Sequence, residues 1–155
     1  MKSFDGGNCV HLAHPPFTFT GVTFAPGELL AVGYIGGKKA ASAEIYTPGV
    51  PARIELAADF SGRKLAADGA DFLFVYARVV DAAGTVVTGN DVRVEFKVDG
   101  PARLVGENPV AAEAGTATIL VQSTGGVDQI KVSATAAGLA PGEVEFEALP
   151  LSHCP

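Results

Sequence analysis

The chain has 155 residues, with 17 acidic and 11 basic side chains for a net charge of −6, and it has no Trp. That length holds one domain, or one domain and part of another, and it can bury a core without metals or disulfides. The acidic balance and scattered Lys and Arg argue against nucleic acid and anionic membranes as partners, and no run of about 18 apolar residues is present to span a bilayer.

Residues 1–14 read as an unstructured tail with one Lys and no apolar stretch, which is not the pattern of a secretory signal. The chain is then either cytoplasmic or a piece of something longer, and the compartment stays open. Residues 15–49 carry three strand signals: Phe17 to Phe24, Glu28 to Tyr34 and Ala40 to Tyr46, the last two joined by a Gly36-Gly37-Lys38 turn. Three strands cannot close a sandwich. They form a partial module with an open apolar face, for which Phe17, Phe19, Leu29, Ala31 and Ile35 are candidates.

Pro48 to Pro51 reads as a linker, because two prolines in four residues stop any strand. Beyond it the two-residue alternation of buried strands repeats. Ile54, Leu56 and Ala58 alternate with Arg53 and Glu55. Phe72 to Val80 is apolar at both parities, which predicts a central strand buried on both sides, with Tyr76 in the core. Val94, Phe96 and Val98 alternate with Arg93, Glu95 and Lys97. Ala111 to Ala114 has room for one helical turn at most. Ala117–Ile119–Val121, Ile130–Val132–Ala134 and Val144–Phe146–Ala148 alternate in turn with polar neighbours. Turn chemistry separates the runs at Asp68-Gly69, Asp81 to Gly84, Gly89 to Asp91, Asp99 to Pro101 and Gly125-Gly126. Many short strands with no helical periodicity predict an all-β chain. The expected architecture is a complete immunoglobulin-like β-sandwich over 50–148, preceded by the partial three-stranded segment and followed by a tail over 149–155.

Candidate chemistry is sparse. Glu107 and Glu113 flank a loop, but a retaining glycosidase needs two carboxylates facing each other in a sugar-sized cleft, and surface solvation explains them better. His11, His14 and His153 fall in tails that lack the rigid support a nucleophile–base pair needs. No nucleophile elbow, phosphate loop or zinc-protease motif occurs. Asp59, Asp68, Asp71 and Asp81 lie near turns in a spacing that fits no calcium loop, and Asp before Gly is turn chemistry. No metal site, cofactor or catalytic residue is expected. Cys9 and Cys154, one near each end, are read either as a disulfide or as two free thiols. Carbohydrate binding would use exposed aromatics. Tyr34 and Tyr46, near strand ends, are its candidates, with Phe60 in a loop, although two hairpin tyrosines packing on each other is the plainer reading.

Two stretches carry a resemblance. His14-Pro15-Pro16-Phe17-Thr18-Phe19, then Val22-Thr23-Phe24, Pro26-Gly27-Glu28-Leu29, Ala31-Val32-Gly33-Tyr34, Lys38 and Thr47-Pro48-Gly49 form the first. Pro51-Ala52, Ile54, Leu65 to Gly69, Phe74-Val75, Val80-Asp81, Gly84, Val94, Phe96 and Gly100 to Pro109 form the second. In this order they resemble the C-terminal immunoglobulin-like accessory domains of glycoside hydrolase family 2 β-galactosidases. The second stretch, with Gly115-Thr116-Ala117-Thr118-Ile119-Leu120, is also similar to invasin- and intimin-type bacterial immunoglobulin-like repeats. The first resemblance implies a non-catalytic accessory region with a structural or interaction role, because the family's catalytic glutamates lie in an upstream barrel that takes about 250 residues. It implies a polysaccharide or galactoside as the kind of ligand to test, and parent enzymes that are often periplasmic or extracellular. A carbohydrate-binding module, or an adhesin-like repeat that binds a protein, is the alternative. The unpaired edges of the partial module predict self-association.

Overall fold

The structure, a computed structural model, describes residues 3–4, 18–89 and 91–150. It is all-β, with no helix among the described residues, and divides into two compact units, Met1–Thr47 and Pro48–Pro155.

In the first unit, β1 (Ser3–Phe4) pairs antiparallel with β2 (Thr18–Phe19), and β3 (Glu28–Ile35) pairs antiparallel with β4 (Lys38–Tyr46). The three strands expected from the sequence are therefore divided between two separate pairs, and Ser3–Phe4, expected in an unstructured tail, forms a short strand. The chain between β2 and β3 departs from strand geometry at Gly21, with φ 72°, and Pro26 has no N–H to give to a ladder. The β3–β4 turn consists of Gly36 and Gly37, with φ 57° and 76°. Two left-handed residues make the turn whose twist matches a hairpin, and glycine adopts them without steric cost. A register shift at Gly33/Tyr34 bends the ribbon near that end.

The second unit is an immunoglobulin-like sandwich of nine strands: β5 (Arg53–Asp59), β6 (Leu65–Ala66), β7 (Phe72–Val80), β8 (Arg93–Asp99), β9 (Ala102–Val105), β10 (Val110–Ala111), β11 (Thr116–Ser123), β12 (Gln129–Thr135) and β13 (Gly142–Leu149). One sheet has the order β5-β7-β11-β9 and the other β10-β8-β12-β13-β6. All neighbours are antiparallel except β13 and β6, which run parallel. The alternating residues face inward as patterned. In β11, Ala117, Ile119, Val121 and Ser123 are buried beside Val75 and Val79 of β7 in the same sheet; in the other sheet Ile130, Val132 and Ala134 of β12, with Phe96 of β8, complete the core. At about 25 cal/mol per Å² of apolar area, this interlocking layer is what holds the unit.

Three local expectations change. From Phe72 to Val79, β7 is buried on one face only: Leu73, Val75, Ala77 and Val79 point inward, while Phe72, Phe74 and Arg78 are exposed and Tyr76 is half-buried; at its end Val80 is buried as well. A sheet with one partner sheet has one dry face, whatever the composition of its outer residues. The helical turn at Ala111 to Ala114 is instead the end of β10 and a tight hairpin, with Glu113 and Thr116 bridged around Ala114 and Gly115 at φ 47° and 79°. The Pro48 to Pro51 stretch is tied down: the Gly49 N–H donates to Asp81 Oδ2 at 2.7 Å, and the Ala52 N–H to the Val80 carbonyl at 2.8 Å.

Candidate functional site

The chain changes sheets between β5 and β6, and that loop shapes the candidate site. Asp59 Oδ1 accepts from the Ser61 N–H at 2.8 Å and from its hydroxyl at 3.3 Å. Ser61 and Gly62 then take φ 46° and 78°, and the Arg63 N–H closes the turn on the Phe60 carbonyl at 2.9 Å. The aspartate cap makes the left-handed conformation tolerable for serine. Phe60 is lifted to the loop tip, where its ring meets Phe146 edge-on at 5.7 Å and 86°.

The loop is locked from below. Arg63 donates two parallel bonds to Asp71, at 2.7 and 2.6 Å, and the Ala66 N–H donates to Asp71 Oδ2 at 2.8 Å. The Asp71 carboxylate is only 9% exposed. The Arg63 hydrogen bonds, aided by the Ala66 N–H and the arginine charge, outweigh desolvation and hold its pKa at about 2. The same pairing raises the Arg63 guanidinium further.

Two hollows adjoin at Phe60. The larger, about 520 Å³, is an open groove between Phe60, Lys64, Gln129, Glu145, Phe146 and Leu149. The smaller, about 120 Å³, runs from Phe60 past Arg63 and Asp71 to Phe72 and Phe74. From there the outer face of β7 continues the aromatic row: Phe72 and Phe74 are 53% and 42% exposed, and the Phe74 and Tyr76 rings lie 19° from parallel at 6.2 Å. Polar side chains border the row. Gln122 sits opposite Phe72, its Oε1 accepting from Arg103 Nε and Nη2 at 3.1 and 2.8 Å; Asp59 and Leu120 flank Phe74, and Ala57 and Thr118 flank Tyr76.

The other candidate residues are placed as follows. Tyr34 and Tyr46 are 65% and 51% exposed. They do not pack on each other as a hairpin pair: Tyr34 lies opposite Lys39 and Tyr46 opposite Glu28, six register positions or about 20 Å apart along the ribbon. Desolvation, with Glu28 and Glu44 nearby, raises the Tyr46 hydroxyl above the usual phenol value. Tyr76 belongs to the outer row rather than the core. Glu107 pairs with Arg93 at 3.3 Å on an open loop, and Glu113 serves a different turn. The four turn aspartates spend their oxygens on local partners. Asp68 Oδ1 accepts from the Ala70 and Asp71 N–H groups, which lower its pKa, and Asp81 accepts from Gly49, Ala83 and Thr85, with the same effect. Among the described residues no group of three or more His, Cys, Asp or Glu is placed to hold a metal ion. Cys9, Cys154, His11, His14 and His153 lie outside the described residues.

Phe72 and Phe74 were not legible as site residues. The signal that could have found them is Arg78, at the same parity as Phe72, Phe74 and Tyr76: a charged residue in that register marks a face turned to water.

The fold has counterparts in known proteins. The profile of Glycoside hydrolase family 2 C-terminal domain 5 matches residues 54–145. A β-galactosidase of Thermoanaerobacter pseudethanolicus is 34% identical over 122 residues, covering 73% of this chain, and one of Bacteroides ovatus is 33% identical over 140 residues, covering 82%. The chain spans 16% of the length of each of these relatives. A solved family 2 glycosyl hydrolase from Bacteroides cellulosilyticus superposes with a TM-score of 0.71 at 25% identity, over 81% of this chain and 19% of that one. The match falls on the non-catalytic C-terminal part of such enzymes, and a catalytic barrel of about 250 residues has no place in 155. The chain belongs to the glycoside hydrolase family 2 C-terminal domains.

Proposed function

We propose that the chain acts as a non-catalytic accessory region of a β-galactosidase-like family 2 glycosidase, and that its role is structural and associative. The observation that carries this reading is the β3–β4 hairpin. Leu29, Leu30, Ile35 and Ile45 are all more than half exposed on it. A two-stranded ribbon is marginal in water, and its edges offer unpaired N–H and C=O groups to another strand. Such a ribbon gains stability by joining a further sheet, either in a longer parent chain or in a second copy of this one.

Sedimentation velocity over a wide concentration range tests this. The expected result is reversible self-association that Ile45→Lys abolishes. A strict monomer at the highest concentration overturns it. A chromogenic β-galactoside should be left intact by the purified chain; turnover would overturn the non-catalytic reading.

A further inference from the structure

We propose that the peptide joining the two units is a latched joint: the Asp81 carboxylate holds Gly49 and keeps the joint short, and opening that one bond frees a longer tether.

Each end of the joint is fastened to its own unit. On the hairpin side Thr47 is held twice to Gly27, just ahead of β3. Its N–H donates to the Gly27 carbonyl at 2.8 Å, and its Oγ1 accepts from the Gly27 N–H at 3.2 Å. Within the second unit the Gly49 N–H donates to Asp81 Oδ2 at 2.7 Å. Only Pro48 stands between these two anchors. Its ring fixes φ at about −65°, and a residue that precedes proline is confined to extended backbone, which limits Thr47. The ψ of Pro48 is the main torsion left to turn. Pro48 to Pro51 has the composition of a linker, and the hydrogen bonds shorten that linker to one residue.

The latch is separable from the fold around it. Asp81 is buried, and its Oδ1 accepts from the Ala83 and Thr85 N–H groups at 2.9 and 2.8 Å. Arg53 braces the same loop: its Nη1 donates to the Asp81 and Ala82 carbonyls at 3.0 and 3.2 Å. These bonds hold the loop without Gly49, so Oδ2 is the atom that reaches from the loop to the joint. The Gly49 N–H is the foremost influence holding the carboxyl below its ordinary pKa, and the Thr85 and Ala83 N–H groups add to it against desolvation. The latch is thus charged at neutral pH, and a charged acceptor makes the stronger hydrogen bond.

Beyond Gly49, Val50 is exposed, and the next anchor is the Ala52 N–H on the Val80 carbonyl at 2.8 Å. Loss of the Gly49 bond alone therefore lengthens the free peptide from Pro48 to the whole of Pro48–Pro51. At about 3.3 Å per residue that adds about 10 Å of reach. A hairpin that docks on a partner has less freedom to lose when it starts from the short joint.

The experiment is nuclear magnetic resonance on the isotope-labelled full chain, in the Ile45→Lys background so that association does not enter. The Gly49 amide should exchange with solvent about ten-fold or more slowly than in a free peptide, and Val50 should exchange near the free rate. The hairpin amides should follow the same rotational correlation time as the sandwich. Asp81→Asn keeps an oxygen for Ala83 and Thr85 and turns an amide nitrogen toward Gly49, donor against donor. It should abolish the protection of Gly49 and let the hairpin tumble faster than the sandwich, with the amides of Val75 and Ile130 as protected as before. Insertion of Gly-Ser-Gly-Ser between Pro48 and Gly49 should separate the tumbling while Gly49 stays protected. An unprotected Gly49, a hairpin that tumbles independently before any change, common tumbling that survives the insertion, or an Asp81→Asn chain that behaves as before overturns the proposal. So does joint loss of Gly49 and core protection in Asp81→Asn, since the carboxylate would then be part of the fold rather than a latch.

Discussion

The β3–β4 hairpin and the β5–β13 sandwich are written in the same alphabet. Both are rich in Leu, Ile, Val and Ala, both turn on glycine, and both place an isoleucine one residue from the end of a strand. Ile45 is nevertheless 65% exposed and Ile54 only 2%. Ile54 has a second sheet above it, whereas the hairpin has none of its own. Apolar, β-branched residues favour a strand; only a facing layer turns them into a core. The sandwich can therefore carry the stability of the chain, and the hairpin carries its appetite for a partner.

The largest expected effect lies on the sandwich side. Ile54→Ala removes a fully packed side chain and should cost about 2–5 kcal/mol in urea unfolding. A loss below about 1 kcal/mol would mean that the sheets do not interlock at β5. Next comes Asn108, whose side-chain amide pairs with the backbone of Phe96 as a strand would, accepting from its N–H at 2.9 Å and donating to its carbonyl at 2.8 Å. Asn108→Ala leaves both groups without that partner and should cost about 1–3 kcal/mol.

Acid unfolding should report on the β5–β6 loop. The folded-state pKa of Asp71, about 2, lies below its ordinary 3.8. Its stabilising contribution is thus fully present above the ordinary value and is lost as the pH falls through the folded one. Melting temperature should fall between about pH 4 and pH 2, and Asp71→Asn should flatten that part of the profile while lowering stability at neutral pH. An unchanged acid limb in the variant would assign the transition to other carboxylates. The smallest effect belongs to the hairpin: Ile45→Ala should change unfolding of the dilute chain by less than about 0.5 kcal/mol, while weakening association at high concentration. A cost comparable to that of Ile54→Ala would erase the contrast between the two units.

Much of the sandwich was legible because its period is simple. In β8, β11, β12 and β13 inward residues follow one another at every second position, and turn residues punctuate them. The errors share a cause. Phe72 to Val80 is apolar at both parities, and periodicity cannot say which face is covered. Phe17 to Phe24 has strand composition, but Gly21, with φ 72°, interrupts pairing where β-propensity has no say. Ala111 to Ala114 lacked a turn signature because a non-glycine residue, Ala114, takes the left-handed position. The site was harder still. Phe60 owes its position to an aspartate cap and to an arginine eight residues from its carboxylate partner, pairings set by the path of the chain.

The sequence by itself determined that this protein is all-β, where most of its turns fall, which residues of most strands face inward, and which enzyme family it resembles. Those features are encoded locally, in side-chain period and turn chemistry, and read without knowledge of neighbours. Only the tertiary structure decided that Phe72, Phe74 and Tyr76 face water beside Phe60, that Asp71 is fastened to Arg63, and that Tyr34 and Tyr46 lie far apart. Exposure and ion pairing depend on which sheet covers which face, and that is a property of strands far apart in the chain.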